Sequence, residues 1–407
     1  MEIFYPFFKM IENVSRHFSK SKKIRVALLI DEFFGGAGTA YGGYGFLARK
    51  FIAKYIPDED IEIDVLLGKR EKKGGLPSIF ALKEHCDNVD LHWLPRRKFF
   101  SSLWLAAKHY DLYLSIELTD DYVLKCEKND KKKLILWIQD PRPKRVWKTI
   151  IGTMKSIKDP CFYRQEIYQL VHDMNEEKRI KFITQGNSLN PLALELYNLE
   201  NTVPISYVPN PIEIDFEYRF NLNQKNTIIF LGRLEAQKRC WIFCEIARQM
   251  PQYNFIVLGN FFRHIDDNKK MMREYLPPNN PKNLIFKGHV DGEEKKELLK
   301  SARILINTSI WEGIPISWLE CLSYGTVIIS AFERDDLVSR FGEYVGEVPG
   351  DGFDSVNRFK IAIDEYMNND ELYVLKATQA IEYTRSNHSI KKFKETMKHV
   401  IHSVAKD

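Results

Sequence analysis

The sequence predicts an α/β protein of two doubly wound domains in series, and three observations carry that expectation. From residue 24 onward, short β-rich runs alternate with amphipathic stretches, the pattern of strand–helix units wound into parallel sheets. The alternation breaks at Val208-Pro209-Asn210-Pro211, and a second series starts at residue 227. The 407 residues, at roughly 150 per domain, leave room for two or three cores.

Composition narrows the class. Apolar residues make up 44% of the chain and charged residues 28%, which excludes long disorder, collagen-like repeats and a disulfide scaffold. The net charge of +5 is too small for this length to imply nucleic-acid binding. Six scattered cysteines fit a reducing compartment. Cys240 and Cys244 share an expected helix, but no second Cys or His pair stands at zinc-finger spacing, so both read as structural thiols and no metal site is expected. Apolar runs such as 26–30 fall far short of the ~20 residues a membrane-spanning helix needs. The expected location is the cytoplasm, with peripheral contact at the inner face of the membrane open.

In chain order, the first segment, 1–23, is amphipathic. Phe4, Phe7, Phe8, Ile11, Val14 and Phe18 recur at helical spacing, with Lys9, Arg16, Lys20, Lys22 and Lys23 adding positive charge. Two readings stand: an interfacial helix on anionic lipid, or a helix packed on the protein's own first domain. The first domain, 24–209, has expected strands at 24–30, 61–67, 111–117, 134–138, 181–184 and 205–208, mostly continuously apolar as buried parallel strands are. The stretches 94–110 and 140–173 look less regular, with loops and surface helices expected there. The prolines flanking Asn210 force extended backbone and mark the linker. The second domain, 210–385, has expected strands at 227–231, 255–258, 284–286, 304–307 and 326–330, with helices at 240–250 and 294–301. A closing segment, 386–407, holds a helix with Ile390, Phe393, Met397, Val400, Ile401 and Val404 on one face.

Ligands of open α/β sheets sit beyond the carboxyl ends of the strands, so the turns there are the candidate site. After 227–231 comes Gly232-Arg233-Leu234-Glu235-Ala236-Gln237-Lys238. Gly232 permits close backbone approach, and Arg233 and Lys238 bracket a helix start whose dipole favours an anion, which suits a diphosphate. Solvated charges at a helix start are the plainer reading. After 304–307, Glu312-Gly313-Ile314-Pro315-Ile316 leads into a helix carrying Glu320, with Pro315 suited to its first turn and Gly325 to the left-handed position that ends it. With a turn between them, Glu312 and Glu320 can address one pocket, and carboxylates commonly hold sugar or ribose hydroxyls. After the first strand, residues 35–45 hold six glycines, among them Gly35, Gly36, Gly42 and Gly43, without the lysine of a Walker loop. That loop either faces substrate or connects flexibly.

Together these words resemble the retaining nucleotide-sugar glycosyltransferases of the two-Rossmann-domain type, GT-B family 4 or group 1. The matching stretches are Val208-Pro209-Asn210-Pro211-Ile212, Gly232-Arg233-Leu234 with Lys238, Val257-Leu258-Gly259, Phe286-Lys287-Gly288-His289-Val290, and Glu312 to Glu320, which has the family's spacing of seven residues between two glutamates. The resemblance implies a GT-B fold, with domains facing a cleft and the C-terminal helix returning to the first domain. It implies that Arg233 and Lys238 hold the donor diphosphate, that Glu320 binds the ribose, and that Glu312 with Gly313, Ile314, Pro315 and Ile316 faces the transferred sugar. It implies front-face transfer with retention, without a metal ion, closure of the domains over the donor, and a nucleoside-diphosphate sugar as co-substrate with no other cofactor. The implied acceptor is a saccharide or a lipid-linked molecule of surface polysaccharide or glycolipid synthesis.

Two departures stand out. The segment after Glu312 reaches its proline sooner than the family's frequent Gly-Phe-Gly-Leu-Pro. The strand at 134–138 ends in Gln139-Asp140 where many relatives have His-Asp, so Gln139 is a candidate neutral hydrogen-bonding group on the sugar side, with Asp140 beside it. The basic, aromatic run 141–148 follows, expected on the first domain, as a grip for a phosphate-bearing or lipid-linked acceptor or as solvated surface. A nucleotide-sugar epimerase of the same architecture and a non-catalytic nucleotide-sugar-binding subunit are the alternatives.

Overall fold

The computed structural model describes residues 10–11, 14, 23–68, 79–119, 121–127, 132–153, 164–262 and 265–406. Most of the amphipathic segment 1–23 therefore lies outside the described residues, as does Cys161. The chain divides into two compact units, Met1–Pro141, Arg164–Asn210 and Ile390–Asp407 in one, Arg142–Tyr163 and Pro211–Ser389 in the other. The basic run was expected on the first domain; from Arg142 it groups with the second unit instead, because its contacts are made there.

The first unit is built on β1 (Ile24–Leu29), β2 (Ile61–Leu67), β3 (Leu82–Cys86), β4 (Val89–Trp93), β5 (Leu112–Ile116), β6 (Lys133–Ile138), β7 (Ile180–Thr184) and β8 (Ile205–Tyr207). Among the described residues they form one sheet, β3-β4-β2-β1-β5-β6-β7-β8, parallel except for the β3–β4 hairpin at its edge. The hairpin was not expected. β3 is largely exposed and β4 buries Asp90 only partly, so neither has the continuous apolar run of an interior parallel strand. The stretches expected to hold loops and surface helices contain helices Lys98–Lys108, Lys144–Thr153 and Gln165–Glu176.

The closing helix, Ile390–Lys406, belongs to this unit as expected. Phe393 stacks on Trp137 of β6 at 5.5 Å between ring centroids, Lys398 pairs with Asp58, and Met397, Val400, Ile401 and Val404 bury the rest of the apolar face.

The second unit holds β9 (Thr227–Leu231), β10 (Asn254–Leu258), β11 (Leu284–Gly288), β12 (Ala302–Asn307), β13 (Val327–Ser330) and β14 (Gly342–Tyr344), ordered β11-β10-β9-β12-β13-β14 and all parallel. From β9 the chain winds outward through β10 and β11, then returns to β12 and winds the other way. β9 and β12 are therefore neighbours at the topological switch point, where open sheets bind ligands. The same reversal falls between β1 and β5 in the first unit. Helices Cys240–Gln249, Val356–Asn368 and Asp370–Asn387 cover one apolar cluster, and Ile316–Ser323 packs into another.

Candidate functional site

The turn after β9 and the turn after β12 meet because their strands are paired. The first begins at Gly232, whose N–H donates to Leu258 O at 3.0 Å. Next to it, Gly259 has φ +151°, and a Cβ there would fall 1.8 Å from Gly232 O, so only glycine fits. The chain then makes a single turn, Ala236–Lys238, and enters helix Cys240–Gln249 through Arg239, itself left-handed at φ +47°. Among the described residues, the cap residues Arg239 and Pro315 give no side-chain cap bond to that helix or to the helix Ile316–Ser323 that follows β12. Pro315 precedes the latter by one residue at ψ +133°, just outside the first turn where the sequence expected it, and Gly325 is left-handed as expected at φ +72°.

Lys238 and Glu312 are joined. The Lys238 ammonium donates to Glu312 Oε1, and the Ser309 hydroxyl donates to the same oxygen at 2.5 Å. Both charged side chains are largely buried, 16% and 10% exposed. Neighbouring bonds lock the two turns together. Thr308 Oγ1 donates to Lys238 O at 2.6 Å, Ile310 N to Gln237 O at 2.9 Å, and Gln237 Nε2 to Trp311 O at 2.8 Å. Arg142 Nη1 donates to Gln237 Oε1 at 3.1 Å, which ties the start of the basic run to this unit. Arg334, after β13, donates from Nε to Glu312 O at 3.1 Å, its guanidinium within 4.6 Å of the Trp311 and Phe332 ring centres. Beneath them the buried Arg239 guanidinium donates to Thr308 O and Val348 O at 2.9 and 2.6 Å, and burial pushes it down to about 10.

Arg233 stands apart from this knot. It is 44% exposed, pairs with Glu235 at 3.0 Å and lies over the Phe262 ring at 4.7 Å. Glu320 also has its own partner: Lys295, from helix Gly292–Ser301, donates to Oε1 at 2.7 Å and Oε2 at 2.8 Å. The two glutamates expected to address one pocket thus hold different cations. Thr308 and Ser309 could have been found from their place directly after a strand. Lys295 and Arg334 carry no local signal, because their roles depend on strands and helices brought alongside.

In the first unit the glycine-rich loop is a closed turn held by its own bonds. Gly35 N donates to Ala40 O at 3.1 Å, Phe33 N to Thr39 Oγ1 at 2.7 Å, and Phe34 meets the Tyr41 and Phe46 rings edge-on. A Cβ at Gly35 would strike the Tyr41 ring and one at Gly42 the Glu32 carboxylate, whereas Gly43 has open space around it.

Gln139 follows β6, buried in a cluster of amides. Its Oε1 accepts from Asn210 Nδ2 at 2.9 Å, its backbone carbonyl accepts from Gln185 Nε2 at 2.6 Å, and Asn210 also donates to Gln185 Oε1. The Glu117 carboxylate, after β5, accepts from the N–H groups of Gln139 and Asp140. Glu117, Gln185 and the anchoring of the linker by Asn210 were not foreseen.

Asp64, Asp90 and His92 share one face of β2 and β4, with ligand-type atoms within 4.8 Å of each other. Their charge is already balanced. Lys83 bonds Asp90 at 2.6 Å, Arg25 lies 3.9 Å from Asp64, and Tyr110 donates to Asp64 at 2.7 Å. A divalent cation would meet the Lys83 ammonium and the Arg25 guanidinium there, and the cluster reads as a polar layer of the sheet.

Residues 212–385 match the family model described as "Glycosyl transferases group 1". The alpha-galactosylglucosyldiacylglycerol synthase of Streptococcus pneumoniae is 32% identical over 133 residues, covering 29% of this chain and 35% of that protein. The chain spans only a third to a half of the length of the curated relatives it matches. Among solved structures, sucrose-phosphate synthase from Thermosynechococcus elongatus superposes with TM-score 0.69 at 14% identity, over 94% of this chain and 99% of that one. Anabaena HepE in complex with UDP superposes with TM-score 0.65 at 12% identity, over 93% and 100%. The two Rossmann-like α/β units match the GT-B glycosyltransferase fold.

Proposed function

We propose, from a group 1 glycosyl transferase domain at residues 212–385 within a GT-B fold, that the protein is a retaining glycosyltransferase of family 4 type. It moves a sugar from a nucleoside-diphosphate sugar to a saccharide or lipid-linked acceptor. The observation that carries this reading is the Lys238–Glu312 pair at the switch point between β9 and β12, beside two helix starts whose cap residues give no side-chain cap bond.

Arg233 and Lys238 each hold a carboxylate, Glu235 and Glu312. A diphosphate brings more negative charge than either, and its oxygens replace those carboxylates as partners of the two cations. Glu312 is then released toward the sugar, where its charge steadies positive charge developing on the ring as the bond to phosphate breaks. The same cations and the two helix N-termini stabilise the departing nucleoside diphosphate, a role that needs no metal ion. Glu320 takes the ribose. No carboxylate is assigned as a nucleophile, and transfer proceeds on one face of the ring.

A lipid-linked acceptor is favoured by the name of the Streptococcus pneumoniae relative and by Lys144, Arg145 and Lys148, exposed on helix Lys144–Thr153. Those cations suit a phosphate group or an anionic, peripherally contacted membrane. No helix among the described residues is long and apolar enough to cross a membrane.

The test starts with calorimetric titration of UDP, GDP, ADP and CDP, followed by transfer assays with the matching nucleotide sugars and NMR of the product's anomeric configuration. Arg233→Ala and Glu320→Ala are each expected to weaken nucleotide binding by about tenfold, the worth of one charge-assisted hydrogen bond. Unchanged affinity in both would remove the site assignment, and a product of inverted configuration would remove retention.

A further inference from the structure

We infer that Lys295 is a positioning residue for Glu320, fixing the carboxylate on which ribose recognition depends; this rests on the donor-site reading above. Lys295 lies on helix Gly292–Ser301, which runs into β12, and Glu320 lies on the helix after β12. Its ammonium is 2.7 Å from one carboxylate oxygen and 2.8 Å from the other. Two nearly equal distances place the cation across the edge between the oxygens rather than on one of them. Rotation of the carboxylate would lengthen one bond, so its plane is held. Both side chains are only 21% exposed, which shields the pair from solvent.

The helix that brings Lys295 is itself fixed on either side of that residue. Asp291 caps its first turn by accepting from Gly292 N at 2.8 Å, and Lys296 reaches Asp215 at 3.1 Å. Burial alone would push the Lys295 ammonium down, but the Glu320 carboxylate outweighs it and holds the group above the ordinary lysine value. Lys295 is therefore charged and in place at any pH near neutrality.

A carboxylate offers about four acceptor sites. Lys295 uses one on each oxygen and leaves capacity on each for a ribose hydroxyl. Without the bridge, the carboxylate turns freely and is satisfied by water, and ribose hydroxyls gain little by meeting it. Selectivity for a ribose over a sugar lacking its hydroxyls thus depends on a lysine that itself touches no nucleotide.

The experiment is calorimetric titration of the full-length protein with the tightest binder among UDP, GDP, ADP and CDP, and with the 2′,3′-dideoxy form of the same nucleotide. The unaltered protein is expected to prefer the ribose form by about tenfold, the scale of a hydrogen bond to a charged group. In Lys295→Met that preference falls to about twofold, with affinity for the dideoxy form unchanged, because only the ribose contact is lost. Lys295→Arg, which can still bridge both oxygens, restores most of it. Thermal unfolding checks each variant, and Lys295→Gln is read in the same way if Lys295→Met does not fold. A folded Lys295→Met protein that keeps the full preference overturns the inference, as does one that weakens both nucleotides equally, the signature of general damage. If the unaltered protein shows no ribose preference, or Glu320→Gln keeps it, the donor-site reading of Glu320 fails and takes the inference with it.

Discussion

Lys238 and Glu312 stand 74 positions apart and share a buried bond, which makes them the residues where stability and ligand binding can be separated. Lys238→Met leaves Glu312 buried with only the Ser309 hydroxyl, and is expected to cost about 3 kcal/mol, the scale for breaking a buried pair. Adding Glu312→Gln removes the stranded charge and recovers most of that loss in urea denaturation. Nucleotide affinity does not recover, because the phosphate cation is still missing. Equal recovery of both quantities would mean that Lys238 acts only as Glu312's counter-ion. Gly259 gives a second test at this scale. Gly259→Ala drives a Cβ into Gly232 O in a backbone region closed to other residues. The expected loss is at least about 2 kcal/mol and nucleotide binding with it, whereas Gly43→Ala, with open space around it, is tolerated. The sequence pointed to Lys238, Glu312 and the glycines by type and place. It did not show that the two glutamates hold different cations, because Lys295 and Arg334 arrive from elements whose neighbours are set by sheet order.

At the scale of elements, strands with continuous apolar runs were legible to within one or two residues, as in β6 and β9. The β3–β4 hairpin was not, and in 94–110 surface helices were expected without bounds; in both places part of the buried face is polar. β4 carries Asp90 and a buried His92, and the helix buries Ser101 and Ser102, the latter donating to Cys126 O at 2.6 Å. Polar groups satisfied by distant partners look like loop or surface in a linear reading. The closing helix shows the opposite case. Its apolar stripe was plain, and the structure supplies the surface it covers, Trp137 of β6. Phe393→Ala should therefore destabilise the first unit by about 3–5 kcal/mol through the cavity left against Trp137, with Trp fluorescence reporting the transition. A loss below about 1 kcal/mol, the level of a surface substitution, would mean that the helix is not held by this contact.

The molecule as a whole carries a pH dependence that no local feature announces. Lys225 is buried, donates to Leu299 O and Ala302 O at 3.3 and 2.9 Å, and is pushed by burial from 10.5 down to about 7. Between those two values the unfolded chain binds a proton that the folded chain does not, so this residue makes stability rise with pH across that window. Below about pH 7 the cost of keeping the ammonium buried is present in full. Urea denaturation of the protein and of Lys225→Met should show a stability difference that shifts in favour of the unaltered protein from about pH 7 to pH 9; a constant difference would mean that Lys225 stays charged. The two-sheet architecture, the break near Asn210 and the candidate turns after β9 and β12 were determined by the sequence alone, since strand pattern, proline placement and glycine chemistry are local. Which charges meet was decided only in three dimensions. Lys238 reaches Glu312, Lys295 reaches Glu320 and Lys225 is sealed against Leu299 O and Ala302 O because the chain reverses its winding at β9 and β12, and that reversal sets neighbours far apart in sequence side by side.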